Sequence, residues 1–306
     1  MYDLIIIGSG PAGLGAAVYG KRAGFSTLVL EQAPMSGGQI LNTYEVDNYL
    51  GLPGISGFDM GMQFREHAEK LGAQFQEAEV TGLENGKDQK IVKTSEGEFE
   101  AKAVIIASGA THRKLGVPGE ERLSGMGISY CATCDGAFFR DRTVAVIGGG
   151  DVAVEDAIFL ARGCRKVYVV HRRDELRAAK SLQDQLFALP NVEMVWNCTV
   201  NDILGEDAVT GISLRDQKEN ADRELSVDGV FIAVGIAPNS GAFVGTVKAD
   251  PNGWLEAGED CVTSVPGIFA AGDVRTKQLR QIITAAADGA NAVTSVERYL
   301  TEHREA

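Results

Sequence analysis

The chain has 306 residues, which at roughly 150 residues per domain favours two domains, and its 37 glycines against only 8 prolines belong to ordered turns, not to a collagen repeat or a Pro/Gly linker. Hydrophobic residues at 44% and charged residues at 23% are enough for a full core and exclude a disordered chain. A net charge of −13 excludes a general nucleic-acid binder, which rests on a basic surface, while leaving room for a small anion at a local site.

The first apolar run, Leu4-Ile5-Ile6-Ile7, reads as a buried strand and ends in Gly8-Ser9-Gly10-Pro11-Ala12-Gly13. Ala16, Ala17 and Ala23 then read as helix and Thr27 to Leu30 as strand, which makes a βαβ unit. No basic segment precedes Leu4 and no run approaches 18 apolar residues, so neither a signal peptide nor a membrane span is expected, and the cytoplasm is the default location. The glycines of the turn let backbone approach a pyrophosphate, whose charge then sits on N–H groups at the positive end of the helix. Glu31, with Gln32 beside it, ends the second strand at the distance suited to a ribose hydroxyl. The competing reading is a purely structural turn.

Lys102 to Ala107 reads as a further strand and leads into Ser108-Gly109-Ala110. Cys131-Ala-Thr-Cys134 follows. Cysteines three apart at a helix start share a face, and the helix N-terminus favours a thiolate, which suits dithiol–disulfide exchange. A zinc site needs a second ligand pair, but Cys164, Cys198 and Cys261 are isolated and the four histidines (His67, His112, His171, His303) have no ligand spacing, so no metal is expected. The three isolated cysteines read as small core residues. Asp135 can exchange the proton that thiolate chemistry requires, or it can be a solvent-facing acid or helix cap.

A second βαβ unit begins at Thr143 to Ile147, meets Gly148-Gly149-Gly150-Asp151-Val152-Ala153, passes through a helical stretch from Glu155 to Arg162 and enters Lys166 to Val170. Gly148 stands 140 residues after Gly8, and His171 stands as far after Glu31. Where the first unit offers a carboxylate, the second offers His171-Arg172-Arg173 with Arg177 beyond. A carboxylate repels a 2′-phosphate and a guanidinium clamps it, so this unit reads as NADPH-specific. The alternative is a solvated basic cluster paired with Asp174 and Glu175. Gly229 to Val234 is another strand, Val265 to Asp273 returns to the strand pattern, and a helix runs from about Gln281 to Tyr299. If the last segment rejoins the first domain, the second is an insertion. Two nucleotide folds and one dithiol suggest an electron relay with a flavin as intermediary.

These residues, together with Gly37-Gly38-Gln39, Asn48, Gly272-Asp273 and Arg280-Gln281, resemble the low-molecular-weight thioredoxin reductases through essentially the whole chain. The resemblance implies an α/β fold of two Rossmann-like domains, with residues 1–112 and 242–306 binding FAD and an inserted domain, 113–241, binding NADPH and carrying the dithiol. It implies a homodimer that reduces the disulfide of thioredoxin or a thioredoxin-like protein. Gly38, Gln39 and Asn48 would lie along the flavin, Asp273 on the FAD ribitol and Gln281 at the start of a helix facing the ring, with Gly37, Gly109, Arg280 and Ile282 completing that site. Gly148, Gly150, Asp151 and Ala153 would meet the NADPH pyrophosphate. Cys134 would lie nearest the flavin and attack the partner, Cys131 would be its disulfide mate and Asp135 the acid–base. The insertion would rotate on segments near Ala110–Gly116 and Gly235–Asn239. Unlike the larger disulfide reductases, residues 35 to 60 hold no cysteine. Three positions depart from the family pattern: Met126 replaces a common Arg, which removes a charge from the expected docking surface; Val152 replaces Ser or Thr, which removes a hydroxyl from the NADPH turn; and Leu50 replaces a common proline. A dithiol oxidase or ferredoxin-linked reductase on the same scaffold, and a flavin-binding redox sensor, are the rival readings.

Overall fold

The structure is a computed structural model that describes residues 1–43, 45–86 and 89–303. β1 (Tyr2–Ile7) is buried from Leu4 onward, as expected of a parallel strand covered on both faces. Its end turns at Gly8, where φ is +101° and a Cβ would stand 2.5 Å from the Ala107 carbonyl oxygen. α1 (Pro11–Arg22) opens on proline with no side-chain cap, which leaves first-turn N–H groups without a helical partner. β2 (Thr27–Glu31) pairs parallel with β1, Leu4 opposite Thr27.

α2 (Gly57–Lys70) is capped by the Ser56 hydroxyl, which accepts the Asp59 N–H. β3 (Gln74–Glu77), β4 (Val80–Asn85), β5 (Lys90–Thr94) and β6 (Gly97–Ile106) follow. β6 is longer than its apolar run suggests: its polar first half pairs antiparallel with β5, and its apolar second half runs parallel to β1. After β7 (Ala110–His112) come β8 (Ile128–Ser129), the one-turn helix α3 (Ala132–Asp135), β9 (Thr143–Ile147), α4 (Asp151–Ala161) and β10 (Lys166–His171). α5 (Lys180–Phe187) and β11 (Val192–Trp196) precede an antiparallel meander of β12 (Cys198–Leu204), β13 (Gly211–Asp216) and β14 (Ala221–Ser226). The remaining elements are β15 (Gly229–Ile232), β16 (Ile236–Pro238), which pairs with β7, β17 (Ile268–Ala270) and α6 (Ile282–Glu302).

The chain forms two compact units, Met1–Thr111 with Ala237–Ala306, and His112–Ile236, so the second is inserted in the first. In the first, β3-β2-β1-β6 is a parallel sheet joined by β17 alongside β6, with the β5–β4 hairpin extending it. The period of two decides its core: Leu4 and Ile6 pack with Val29, Leu14, Val293 and Val296 on one face, while Ile5 and Ile7 pack with Leu28, Leu30, Phe243 and Leu255 on the other. Each such side chain contributes about 1.5–3 kcal/mol on burial. α1 meets α6 so closely that a Cβ at Gly289 would stand 2.3 Å from the Ala12 carbonyl oxygen. The second unit repeats the plan as the all-parallel sheet β11-β10-β9-β15-β8. Its helix α4 starts at Asp151, four residues before the sequence-based start at Glu155, because the glycine turn delivers the chain directly into helix.

Candidate functional site

The turn after β1 gathers residues distant in sequence. Gly37 donates its N–H to the Ser9 carbonyl at 2.9 Å, and a Cβ on Gly38 would lie 3.4 Å from the Gly10 Cα. Gly10 itself is open, with only the Gly37 carbonyl oxygen 3.9 Å from where its Cβ would be. Helix α1 packs tightly beneath, since a Cβ on Gly13 would stand 1.9 Å from the Gly8 oxygen. Glu31 accepts the Ser9 N–H at 2.8 Å, the Ser9 hydroxyl at 2.7 Å and the Ala33 N–H at 3.0 Å, so its carboxylate is held in place at the strand end. Gln32 is exposed beside it. Gln39 donates to the Ala110 carbonyl, one residue after Gly109.

Gly272-Asp273 reaches the same turn, because a Cβ on Gly272 would stand 2.7 Å from the Ala12 Cβ. The Asp273 carboxyl is buried, and its Oδ1 has no hydrogen-bond partner among the described residues. Burial pushes its pKa up against the opposing charges of Lys277 and Arg280. An orphaned buried acceptor is costly unless a donor completes it. Arg280 stacks its guanidinium 3.8 Å from the Trp254 ring centroid and reaches toward the Asp273 and Arg275 carbonyls. Gln281 caps α6 through a capping box with Thr284 and accepts the Asn48 Nδ2–H at 3.0 Å, one position before Ile282.

The second turn differs in detail. A Cβ on Gly148 would stand 2.5 Å from the Ala233 oxygen and 2.6 Å from the Ala153 Cβ, and one on Gly149 would enter the His171 ring at 2.3 Å, whereas nothing lies within 4 Å of one on Gly150. No side chain caps α4. The following loop is tied over the turn: Arg177 donates its N–H to the Gly149 carbonyl at 2.8 Å, and the Asp151 carboxylate accepts the Ala179 N–H at 2.7 Å. Val152, 58% exposed, presents no hydroxyl. His171 departs from the sequence expectation of a basic reader. It is buried beneath Gly149, and burial, with Arg177 and Arg172 nearby, lowers its pKa. The positive charge therefore rests on the exposed Arg172, Arg173 and Arg177. Among the described residues no carboxylate pairs with these three; Asp174 instead pairs with Lys218 at 3.4 Å.

Cys131 and Cys134 are joined as a disulfide, with Cα atoms 5.3 Å apart, and Cys131 is the N-cap of α3. Asp135 closes that turn, half-buried, its N–H donating to the Cys131 carbonyl at 3.1 Å. Burial raises the Asp135 pKa, and a 2.6 Å hydrogen bond from the Ser129 hydroxyl opposes the shift. Sequence patterning missed Ser129, Trp254 and Asp288, whose roles depend on partners that no local motif marks. Cys164, Cys198 and Cys261 are buried free thiols; burial pushes Cys164 up to about 11 and Cys261 to about 12, which makes both poor nucleophiles. Among the described residues no group of three or more His, Cys, Asp or Glu side chains could hold a metal ion.

The family model described as pyridine nucleotide-disulphide oxidoreductase matches residues 2–289. A thioredoxin reductase of Bacillus subtilis is 46% identical over 306 residues, covering 100% of this chain and 96% of that protein. One from Listeria monocytogenes is likewise 46% identical over 306 residues, with the same coverage. The crystal structure of thioredoxin reductase from Streptococcus pyogenes superposes with a TM-score of 0.94 at 47% identity, over 99% of each chain. The chain belongs to the pyridine nucleotide-disulphide oxidoreductase family and, within it, to the thioredoxin reductases.

Proposed function

We infer that the chain catalyses NADPH-dependent reduction of the disulfide of thioredoxin, with FAD as its flavin and the Cys131–Cys134 pair as its redox-active disulfide. The observation that carries this reading is the formed disulfide at the N-terminus of α3, in the same inserted unit as the glycine turn and the exposed Arg172, Arg173 and Arg177. Bound FAD would supply the two-electron chemistry that couples hydride from NADPH to the Cys131–Cys134 disulfide.

The unit of residues 1–111 and 237–306 holds the flavin nucleotide, and the inserted unit holds NADPH. The residues fit both groups. The open backbone at Gly10 and the uncapped start of α1 suit a pyrophosphate, with Ser9, Pro11, Ala12 and Gly13 shaping the turn and Glu31 at the ribose end. The orphaned Asp273 Oδ1 is an acceptor suited to a sugar-alcohol hydroxyl. Gln39, Asn48 and Gln281 would lie along the flavin ring. In the inserted unit, Gly150 gives a phosphate the same close approach, and Arg172, Arg173 and Arg177 bind the 2′-phosphate that separates NADPH from NADH. That no carboxylate pairs with them among the described residues supports this over a solvated charge cluster. Cys134 attacks the partner disulfide, Cys131 resolves the mixed disulfide and Asp135 exchanges protons with the pair.

The protein acts as a homodimer. A groove of about 370 Å³ on the first unit is lined by α1, α2 and α6 residues, including Leu14, Val18, Tyr19, Phe64 and Ile283, and Tyr19 and Ile283 are exposed there. Apolar surface of this kind suits a second copy. No helix among the described residues is long and apolar enough to cross a membrane, and the three reduced thiols suit the cytoplasm. Anaerobic mixing tests the cofactor reading: NADPH bleaches the flavin of the holoenzyme, and equal bleaching by NADH would contradict it.

A further inference from the structure

Ser129 ends β8, two residues before Cys131, and is buried. Its hydroxyl accepts the Cys131 N–H at 3.0 Å. It has a single hydrogen to give, and two acceptors are in reach, Asp135 Oδ2 at 2.6 Å and the Cys131 carbonyl at 3.3 Å. The shorter contact, to a carboxylate, is the stronger acceptor. The Asp135 N–H in turn donates to the Cys131 carbonyl at 3.1 Å. A closed circuit therefore runs from the backbone of one redox cysteine, through the Ser129 hydroxyl, to the Asp135 carboxylate and back.

We propose that Ser129 is the positioning residue of the dithiol: its hydroxyl fixes the Asp135 carboxylate against the Cys131 end of α3, so that proton exchange at the cysteine pair runs through a carboxylate in one set orientation. This rests on the reading of Asp135 as the acid–base group. The step it serves balances as follows. One cysteine thiolate attacks a partner sulfur, the partner S–S bond breaks, and the released sulfur takes a proton. The second cysteine loses its proton and attacks the first across the mixed disulfide, which re-forms Cys131–Cys134 and releases the other partner sulfur to take the remaining proton. Two thiol protons and two electrons pass to the partner, and each proton needs a carrier near α3.

The charged and titratable groups around Asp135 are few. Cys131 and Cys134 are joined, Tyr130 and Arg140 flank the segment, and α4, packed against α3, carries Asp151, Glu155 and Asp156. With the cysteines joined, burial raises the Asp135 pKa and the Ser129 hydrogen bond opposes it. Removing the hydroxyl takes away a hydrogen bond that favours the ionised carboxylate, so the proton affinity of Asp135 rises.

The test compares holoenzyme variants by two readouts across pH: turnover with a thioredoxin disulfide, and the rate at which iodoacetamide alkylates the reduced dithiol. The group assigned to Asp135 is the pH midpoint that disappears in Asp135→Asn. Ser129→Ala moves that midpoint upward and lowers turnover about tenfold, the size expected for one hydrogen bond to a charged group. Ser129→Thr keeps the wild-type midpoint, and Ser129→Ala has no further effect in the Asp135→Asn background. An unmoved midpoint in Ser129→Ala, an equal shift in Ser129→Thr, or additive losses in the double variant would overturn the proposal. If Asp135→Asn itself keeps full turnover and an unchanged profile, the acid–base reading fails instead, which separates the two failures.

Discussion

Asp273 carries a carboxyl group into a place where water is scarce, and one of its oxygens has no partner among the described residues. A buried acceptor without a donor destabilises the empty fold, so a ligand hydroxyl gains more here than on the surface. Asp273→Ala removes that gain: after dialysis the variant should retain at least tenfold less flavin per chain than the wild type, read from the visible absorbance. Arg172 and Arg173 are proposed to hold the 2′-phosphate; both are exposed, and among the described residues no carboxylate pairs with them. Replacing both by Ala should raise KM for NADPH about tenfold or more, from the loss of charge-assisted hydrogen bonds, and leave KM for NADH unchanged. At this scale the sequence showed the candidates that a short motif holds together: the glycine turns, the dithiol and the arginine run. It did not show that His171 turns inward under Gly149, because burial of a side chain at a strand end depends on the next layer. Nor did it show that Asn48 meets Gln281, since they lie 233 positions apart.

At the scale of elements, α6 holds the Gly272–Lys277 segment through one buried carboxylate. Asp288 accepts from Arg275 at 2.7 and 2.8 Å, from Lys277 at 3.0 Å and from the Gly272 N–H at 2.8 Å. Breaking a buried pair of this kind costs about 3–5 kcal/mol, so Asp288→Asn should lower the urea midpoint substantially at neutral pH. Burial pushes the Asp288 pKa up, but the hydrogen bonds from Arg275 and Lys277 outweigh it and hold the group below its ordinary value. A carboxylate depressed in the fold stabilises at pH above its unfolded value, and that contribution is lost as pH falls through the folded one. The gap between wild type and Asp288→Asn should therefore narrow as the urea titration is repeated from neutral pH into the acid range; a gap that widens in acid would contradict the network.

The elements themselves divided by burial. β1, β9 and β10 are continuous apolar runs because both faces are covered, and the sequence displays them directly. The meander strand β14 is exposed at five of six residues, and the first half of β6 is polar; such strands are fixed by pairing with a neighbour, which leaves no period in their own residues.

The whole molecule is one βαβ plan used twice, with the second copy inserted in the first. That duplication accounts for part of the glycine among the 306 residues, since each copy needs close approach at its own turn, at Gly8 and Gly13 in the first and at Gly148 in the second. A chain with net charge −13 still has a local basic exception, because Arg172, Arg173 and Arg177 are exposed after one strand end, which suits the proposed 2′-phosphate site. The function joins the two copies to a single disulfide, and the measurement that tests this most directly is NADPH oxidation by the holoenzyme with an oxidised thioredoxin. One thioredoxin dithiol should form for each NADPH consumed, and either Cys131→Ser or Cys134→Ser should abolish that turnover while flavin reduction by NADPH persists. Thioredoxin reduction that survives the loss of either cysteine would contradict the account.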